Sequence, residues 1–231
     1  MGLESIQLNG IFWSVFRMGE SSYLLKPDIE EDVLNAVHRT SRLIENTEIN
    51  SLVDIIIAYD SITLIFKSSE VKIESSLSNL SKIQDSFSER ISTTHEISVC
   101  YELGLDWEEL ENEVDLSRNE IIEIHTSTEY TVAMMGFLPG FIFLEGLDER
   151  IHMPRKSNPR IAVPKGSVGI GGSQTGLYSL ESPGGWQIIG RTPQEFFDVG
   201  NNPPSSVKAG DKVRFISISE DEFIKQDSNN G

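Results

Sequence analysis

Glycine and proline are concentrated in one part of the chain, and this limits what that part can fold into. Residues 136–193 hold 11 of the 18 glycines and 6 of the 9 prolines. Helices tolerate neither residue well. Short apolar runs remain between them, at 141–144, 161–163, 168–170 and 186–189. Short strands joined by tight turns are typical of a β-sandwich or β-barrel.

The first 101 residues have a different pattern, in which strands alternate with helices. Residues 11–16 and 23–25 have the pattern of strands, and Pro27-Asp28 is expected to open a helix. Paired strands follow at 53–66, a second amphipathic helix at 71–87 and a further strand at 97–101. The order β-β-α-β-β-α-β predicts a ferredoxin-like α/β sandwich.

A short acidic region separates these two patterns. Residues 105–123 have a helical pattern, with Ser117 as N-cap and Glu120 as its capping-box partner. The predicted fold class is therefore α+β. We expect a first domain at 1–93, a barrel domain at 94–224 and a flexible polar tail at 225–231.

Charge and composition exclude several classes of protein. The formal net charge of −17 repels nucleic acid and anionic membrane surfaces, so neither is expected as a partner. The sequence has no signal-peptide pattern and no run of about 18 apolar residues, which predicts a cytoplasmic protein. Cys100 is the only cysteine, and no metal-ligand spacing is present, so no metal is expected.

Residues 136–193 depart from the acidity of the whole chain, with six basic and four acidic residues. A planar guanidinium can hold two oxygens, so the arginines here are candidates for binding a carboxylate or phosphate. The alternative is that they pair with the protein's own acids. The phosphate-loop pattern is missing, because Lys165-Gly166-Ser167 has the wrong order.

His125 follows the strand-like residues 121–124 and is the best placed of the four histidines. An ordinary imidazole pKa near neutrality would suit proton transfer. The alternative is a hydrogen-bonded structural histidine. Composition and spacing alone name no reaction.

A succession of motifs between residues 125 and 193 carries a family resemblance. In chain order they are Gly136-Phe137-Leu138-Pro139-Gly140-Phe141, Pro154-Arg155, Pro159-Arg160, Val163-Pro164-Lys165-Gly166-Ser167, Ser182-Pro183-Gly184-Gly185-Trp186 and Ile189-Gly190-Arg191-Thr192-Pro193. This succession resembles the family of 5-oxoprolinase B subunits, which also includes inhibitors of sporulation sensor kinases.

The resemblance implies a cyclophilin-like β-barrel at 94–224 and a multi-subunit enzyme. The B subunit would act with the C and A subunits of 5-oxoprolinase to hydrolyse 5-oxo-L-proline to L-glutamate, with ATP bound by the complex. The alternative is a binding protein that inhibits a sensor histidine kinase. A carboxyltransferase-like protein acting on urea is disfavoured, because the chain lacks the biotin-attachment pattern Met-Lys-Met.

Eight residues are expected to converge on one concave surface of the barrel. His125 would relay a proton, Arg160 would hold carboxylate or phosphate oxygens, and Gln174 would meet the N–H and C=O of a lactam. These three are the catalytic candidates. The substrate-binding candidates are Pro139, Gly140, Arg155, Thr175 and Arg191.

Overall fold

The computed structural model describes residues 4–69, 73–77, 80 and 92–228. The chain divides into two compact units, Met1–Ile91 and Ser92–Gly231. The boundary expected from the sequence lies between residues 93 and 94.

The first unit is built on a five-stranded sheet whose neighbouring strands are all antiparallel, in the order β1-β2-β3-β5-β4. Its elements are β1 (Glu4–Leu8), β2 (Ile11–Arg17), β3 (Ser22–Pro27), α1 (Val33–Glu45), β4 (Leu52–Ile57), β5 (Ile62–Phe66) and α2 (Ile73–Leu77). Trp13 and Val15 are buried while Phe12 and Phe16 are exposed, so β2 alternates with the period of a strand.

Three expectations for this unit need correction or remain open. The helix begins at Val33, because β3 continues through Pro27 and Asp32 takes a left-handed conformation before the first turn. The strand predicted at 97–101 is not part of this unit, because Thr94–Val99 pairs with a strand of the second unit. Most of the helix predicted at 71–87 lies outside the described residues. The ferredoxin-like assignment stays a prediction.

The second unit contains a seven-stranded sheet in the order β13-β10-β11-β8-β7-β14-β6, and a separate β9–β12 pair. Its strands are β6 (Thr94–Val99), β7 (Glu129–Met135), β8 (Ile142–Glu145), β9 (Arg160–Val163), β10 (Ser167–Gly171), β11 (Gln174–Leu177), β12 (Ser182–Gly184), β13 (Gln187–Arg191) and β14 (Lys212–Ser217). Its helices are α3 (Trp107–Val114), α4 (Arg118–Ser127) and α5 (Glu220–Asp227). Only the β14–β6 pairing is parallel among the described neighbours.

The two edges of this sheet meet. Cys100, directly after β6, exchanges backbone hydrogen bonds of 2.8 and 3.0 Å with Arg191 at the end of β13. Gly190 permits the approach, since a Cβ there would lie 2.6 Å from Cγ1 of Val99. The sheet therefore curls on itself, which fits the cyclophilin-like barrel that the resemblance implies.

Helix α4 covers β14 and closes one side of the core. The predicted capping box is confirmed: Ser117 Oγ accepts from the amide of Glu120, and the Glu120 carboxylate accepts from the amide of Ser117. The strand-like interpretation of residues 121–124 was wrong, because this cap starts a helix that buries Ile121 and Ile124 on one face.

Helix α5 was not predicted from the sequence. Residues 225–227, expected in the flexible tail, form its last turn after a capping box at Ser219 and Glu222. Residues 229–231 lie outside the described residues. Within the described part of the chain, every helix is too short or too polar to span a bilayer.

Candidate functional site

Two of the eight expected site residues lie in the core of the curled sheet. His125 and Thr175 are both fully buried. Nε2 of His125 lies 3.0 Å from Oγ1 of Thr175, and Nδ1 lies 2.7 Å from the hydroxyl of Tyr101. Because the Thr175 hydroxyl donates to the carbonyl of Gly169, it accepts from Nε2–H, and Nδ1 then accepts from Tyr101. The expected surface position is wrong for both residues.

Burial keeps this imidazole neutral. Desolvation lowers the pKa of His125 from 6.5 to about 3. The ring also stacks on Phe215, with centroids 4.5 Å apart. The structure thus supports the alternative of a hydrogen-bonded structural histidine.

We expect His125 to make the protein lose stability in mild acid. Since the folded state resists the proton that the unfolded state accepts, stability falls as pH drops below about 6.5 and continues to fall until about 3. The loss between pH 7 and pH 5 should be about 2 kcal/mol. Urea unfolding at several pH values measures it. His125→Gln should remove this loss, and His152→Gln, at an exposed histidine, should keep it. An unchanged pH dependence in His125→Gln would contradict the prediction.

Arg160 is engaged by a buried acid. Nη1 of Arg160 donates to Oδ2 of Asp106 at 2.8 Å, and Nη2 donates to Oδ1. Nζ of Lys156 donates to Oδ1 at 2.9 Å, and the amide of Ile188 donates to Oδ2 at 2.6 Å. The Asp106 side chain is only 2% exposed. This is the ion-pair alternative that the sequence left open.

The electrostatics of Asp106 follow from these contacts. Burial by itself would raise the pKa of this carboxyl, but hydrogen bonds from Arg160, Lys156 and the Ile188 amide outweigh burial and lower it. Asp106 is therefore a charged anchor that ties the loop before α3 to β9 and β13. Sequence reasoning missed it, because its partners lie 50 to 82 positions further along the chain.

Arg155 lies against the ring of Trp186, and Gln174 pairs in the sheet with a glycine that Trp186 covers. The guanidinium carbon of Arg155 is 5.5 Å from the centroid of the Trp186 ring. The indole covers glycines of the β10–β11 hairpin: a Cβ at Gly171 would lie 2.7 Å from it and one at Gly176 3.0 Å. Gln174 is the register partner of Gly171. Arg155 itself is exposed, so its charge is accessible to an anion.

Gly140 and Arg191 lie near Lys165, and Pro139 directly precedes Gly140. Gly140 packs so closely on Phe197 that a Cβ would lie 2.3 Å from it, and it shares a small cleft with Lys165. Nε of Arg191 donates to the carbonyl of Lys165 at 2.8 Å, so Arg191 braces the loop before β10. The eight residues thus do not converge on one surface.

A histidine–aspartate pair that the sequence did not indicate lies at the start of β6. Nε2 of His95 is 3.1 Å from Oδ2 of the buried Asp211. His95 lines an open, mostly polar depression of about 450 Å³ together with Glu96 and Ser206. The two residues are 116 positions apart, so no local pattern could reveal the pair. Within the described ranges, no group of three or more His, Cys, Asp or Glu residues could hold a metal.

Comparison with known proteins supplies the family. The family model for the carboxyltransferase domain, subdomains C and D, matches residues 13–207. The chain is 38% identical to the B subunit of 5-oxoprolinase from Bacillus subtilis (strain 168), over 94% of this chain and 98% of the relative. The chain belongs to the family of 5-oxoprolinase B subunits.

Solved structures show how the fold of this 5-oxoprolinase family is used in longer chains. TTHA0988 matches with a TM-score of 0.74 and 28% identity, over 86% of this chain and 40% of that one. The Kluyveromyces lactis urea amidolyase matches with a TM-score of 0.76 and 20% identity, over 99% of this chain and 16% of that one. The latter likeness shows the fold alone.

Proposed function

We propose that the chain is the B subunit of an ATP-dependent 5-oxoprolinase complex, which hydrolyses 5-oxo-L-proline to L-glutamate. The observation that carries this proposal is the 38% identity to a 5-oxoprolinase B subunit along nearly the whole length of both chains. No finding favours the kinase-inhibitor alternative. Because ATP is a co-substrate, the complex belongs in the cytoplasm.

The contacts of the expected catalytic residues support a protein that needs partners. His125 is buried with both ring nitrogens in hydrogen bonds, and Arg160 is held by Asp106. The His125 imidazole is therefore not available to a substrate, and the Arg160 guanidinium is already paired with a carboxylate. Arg155, which is exposed, remains a group that this chain could offer to the carboxylate of 5-oxoproline, and Gln174 could meet the lactam. The remaining catalytic groups would come from the C and A subunits.

We further propose that ATP binds on one of these partners. ATP would supply a phosphoryl group to the lactam oxygen, which makes an unstrained amide hydrolysable. A phosphate cradle needs backbone amides that are open to the ligand. Here Gly171 and Gly176 are covered by Trp186, and Gly169 packs against β13. Gly169, Gly171 and Gly176 therefore serve close packing.

Reconstitution tests the proposed function. We expect the purified chain alone to release no glutamate from 5-oxoproline, and we expect ATP-dependent release when the C and A subunits are added. The measurement is glutamate formation, with mixtures that each lack one component as controls. Turnover by the chain alone would overturn its dependence on partners, and an inactive complete mixture would overturn the 5-oxoprolinase assignment.

A further inference from the structure

Three neighbouring loops of the second unit expose apolar side chains. We define them as the three-loop surface: residues 136–140, 179–181 and 197–199. Phe137 is 68% exposed, Leu180 40% and Val199 83%. The hydroxyl of Ser179 donates to the carbonyl of Pro139 at 2.6 Å, which joins the first two loops. The contact of Gly140 with Phe197 joins the first to the third.

Phe137 is held in an unfavourable backbone conformation. Its φ is 68°, in the left-handed region that bulky residues rarely adopt. The hairpin between β7 and β8 enforces this conformation. The amide of Phe141 donates to the carbonyl of Leu138 at 3.1 Å, and the amide of Gly136 donates to the carbonyl of Phe141 at 3.2 Å. The Phe137 ring touches Phe141 edge-on, with centroids 5.7 Å apart.

Burial of the Phe137 side chain does little to offset the cost of this conformation, because most of the side chain remains in water. Backbone strain that a structure enforces is a feature of functional positions. Aromatic side chains, phenylalanine among them, are enriched in the cores of protein interfaces. A strained, rigidly held and exposed phenylalanine therefore has the properties of an anchor for a partner.

We propose that the three-loop surface docks a different polypeptide of the 5-oxoprolinase complex, an inference that rests on the proposed function. In TTHA0988 and the K. lactis urea amidolyase, the part like this chain is 40% and 16% of a longer polypeptide. The Bacillus subtilis relative, 38% identical to this chain, is by its name one subunit of an enzyme, so a different polypeptide is the expected occupant of this surface.

Charge argues against a second copy of this chain as the occupant. The chain carries a net charge of −17, and the exposed acids Glu181 and Asp198 directly follow Leu180 and Phe197 in two of the loops. Two such faces would repel each other. The complementary partner has an apolar pocket for the Phe137 ring and a rim of lysine or arginine.

Binding measurements on the full chain test this surface. Asparagine tolerates a positive φ, so Phe137→Asn removes the aromatic ring and keeps the loop conformation. We expect it to weaken binding of the purified C or A subunit by at least about 30-fold, with an unchanged melting temperature. Leu180→Ser should also weaken binding. Ile216→Ala, on β14 and 42% exposed, is the matched control and should bind like the wild type.

Each outcome bears on the proposal. If the wild type binds a partner and both loop variants bind it as tightly as the wild type does, the assignment of the docking surface is wrong while the proposed function stands. If the wild type binds neither partner, both are overturned. Should Phe137→Asn fail to fold, Leu180→Ser decides. Sedimentation of the chain alone completes the test: a dimer that Phe137→Asn dissolves would make the surface a contact between copies and overturn the proposal.

Discussion

Replacing Asp106 by alanine is expected to lower the free energy of unfolding by about 3 kcal/mol, the loss typical when one partner of a buried ion pair is removed. Asp106 is 2% exposed and accepts from Arg160, Lys156 and the Ile188 amide. The variant leaves the Arg160 guanidinium and the Ile188 N–H without this acceptor, while Lys156 keeps its contacts with Glu109 and Gln187. The cations are 15% and 25% exposed, so some water reaches them, which keeps the effect at the lower end of the range.

Urea unfolding of the variant measures this effect, and Glu109→Gln provides the matched control. Glu109 contacts the same Lys156, but its side chain is 57% exposed, so its removal should change the stability by less than about 1 kcal/mol. Because the folded-state pKa of Asp106 is lowered, its contribution is present above about pH 3.9 and is lost as pH falls through the lowered value. Equal stabilities of Asp106→Ala and the wild type would contradict the ion-pair role.

The hydrogen bonds between Arg160 and Asp106 also change the effect expected of a substitution at Arg160. The sequence made Arg160 a catalytic candidate, a role in which Arg160→Ala would reduce activity without affecting folding. Since Arg160 makes two hydrogen bonds to a buried carboxylate, we now expect the substitution to destabilise the protein. A loss of activity in that variant would then have a structural cause.

Replacing Gly166 by alanine is expected to lower the free energy of unfolding by about 3 kcal/mol or more, for two reasons that add. Its φ of 80° suits glycine, and a Cβ there would lie 2.3 Å from the carbonyl oxygen of Thr192. The left-handed conformation costs an alanine about 1–2 kcal/mol, and overpacking adds about 1–3 kcal/mol. The oxygen belongs to the backbone, and Thr192 itself donates to the Gly166 carbonyl at 2.8 Å, so neither side can yield easily.

Gly172→Ala separates the two causes. Gly172 has a φ of 71° but nothing within 4 Å of the Cβ position, so its substitution should cost only about 1–2 kcal/mol. The midpoints of urea unfolding compare the variants directly. If both variants lost the same stability, the close approach of residues 166 and 192 would have no energetic importance.

Local sequence patterns predicted local structure well in this protein. The Ser117–Glu120 capping box could be recognised because its two members are three residues apart, and the structure confirms both of its hydrogen bonds. The strands β2 and β5 follow from alternating or β-branched runs. By contrast, three isoleucines at 121–124 favoured a strand, and the helix that starts at the cap overrode that preference.

The expected convergence of the eight site residues was wrong, because each residue was chosen by its chemical type alone. Gln174 and Thr175 are neighbours in β11, yet Thr175 points into the core, where it meets His125. Alternation along a strand places adjacent residues on opposite faces, so one of the two had to be lost from any single surface.

The sequence by itself determined the family, through motifs confined to residues 125–193, and the β-rich character of the second unit, through its glycines and prolines. Only the tertiary structure decided that Arg160 faces Asp106, that His95 faces Asp211 and that Cys100 meets Arg191 to close the sheet. These pairs are separated by 54, 116 and 91 positions, and the whole fold sets their distance. Side-chain chemistry can be read locally, but the partner that neutralises or buries a group is chosen by chain topology.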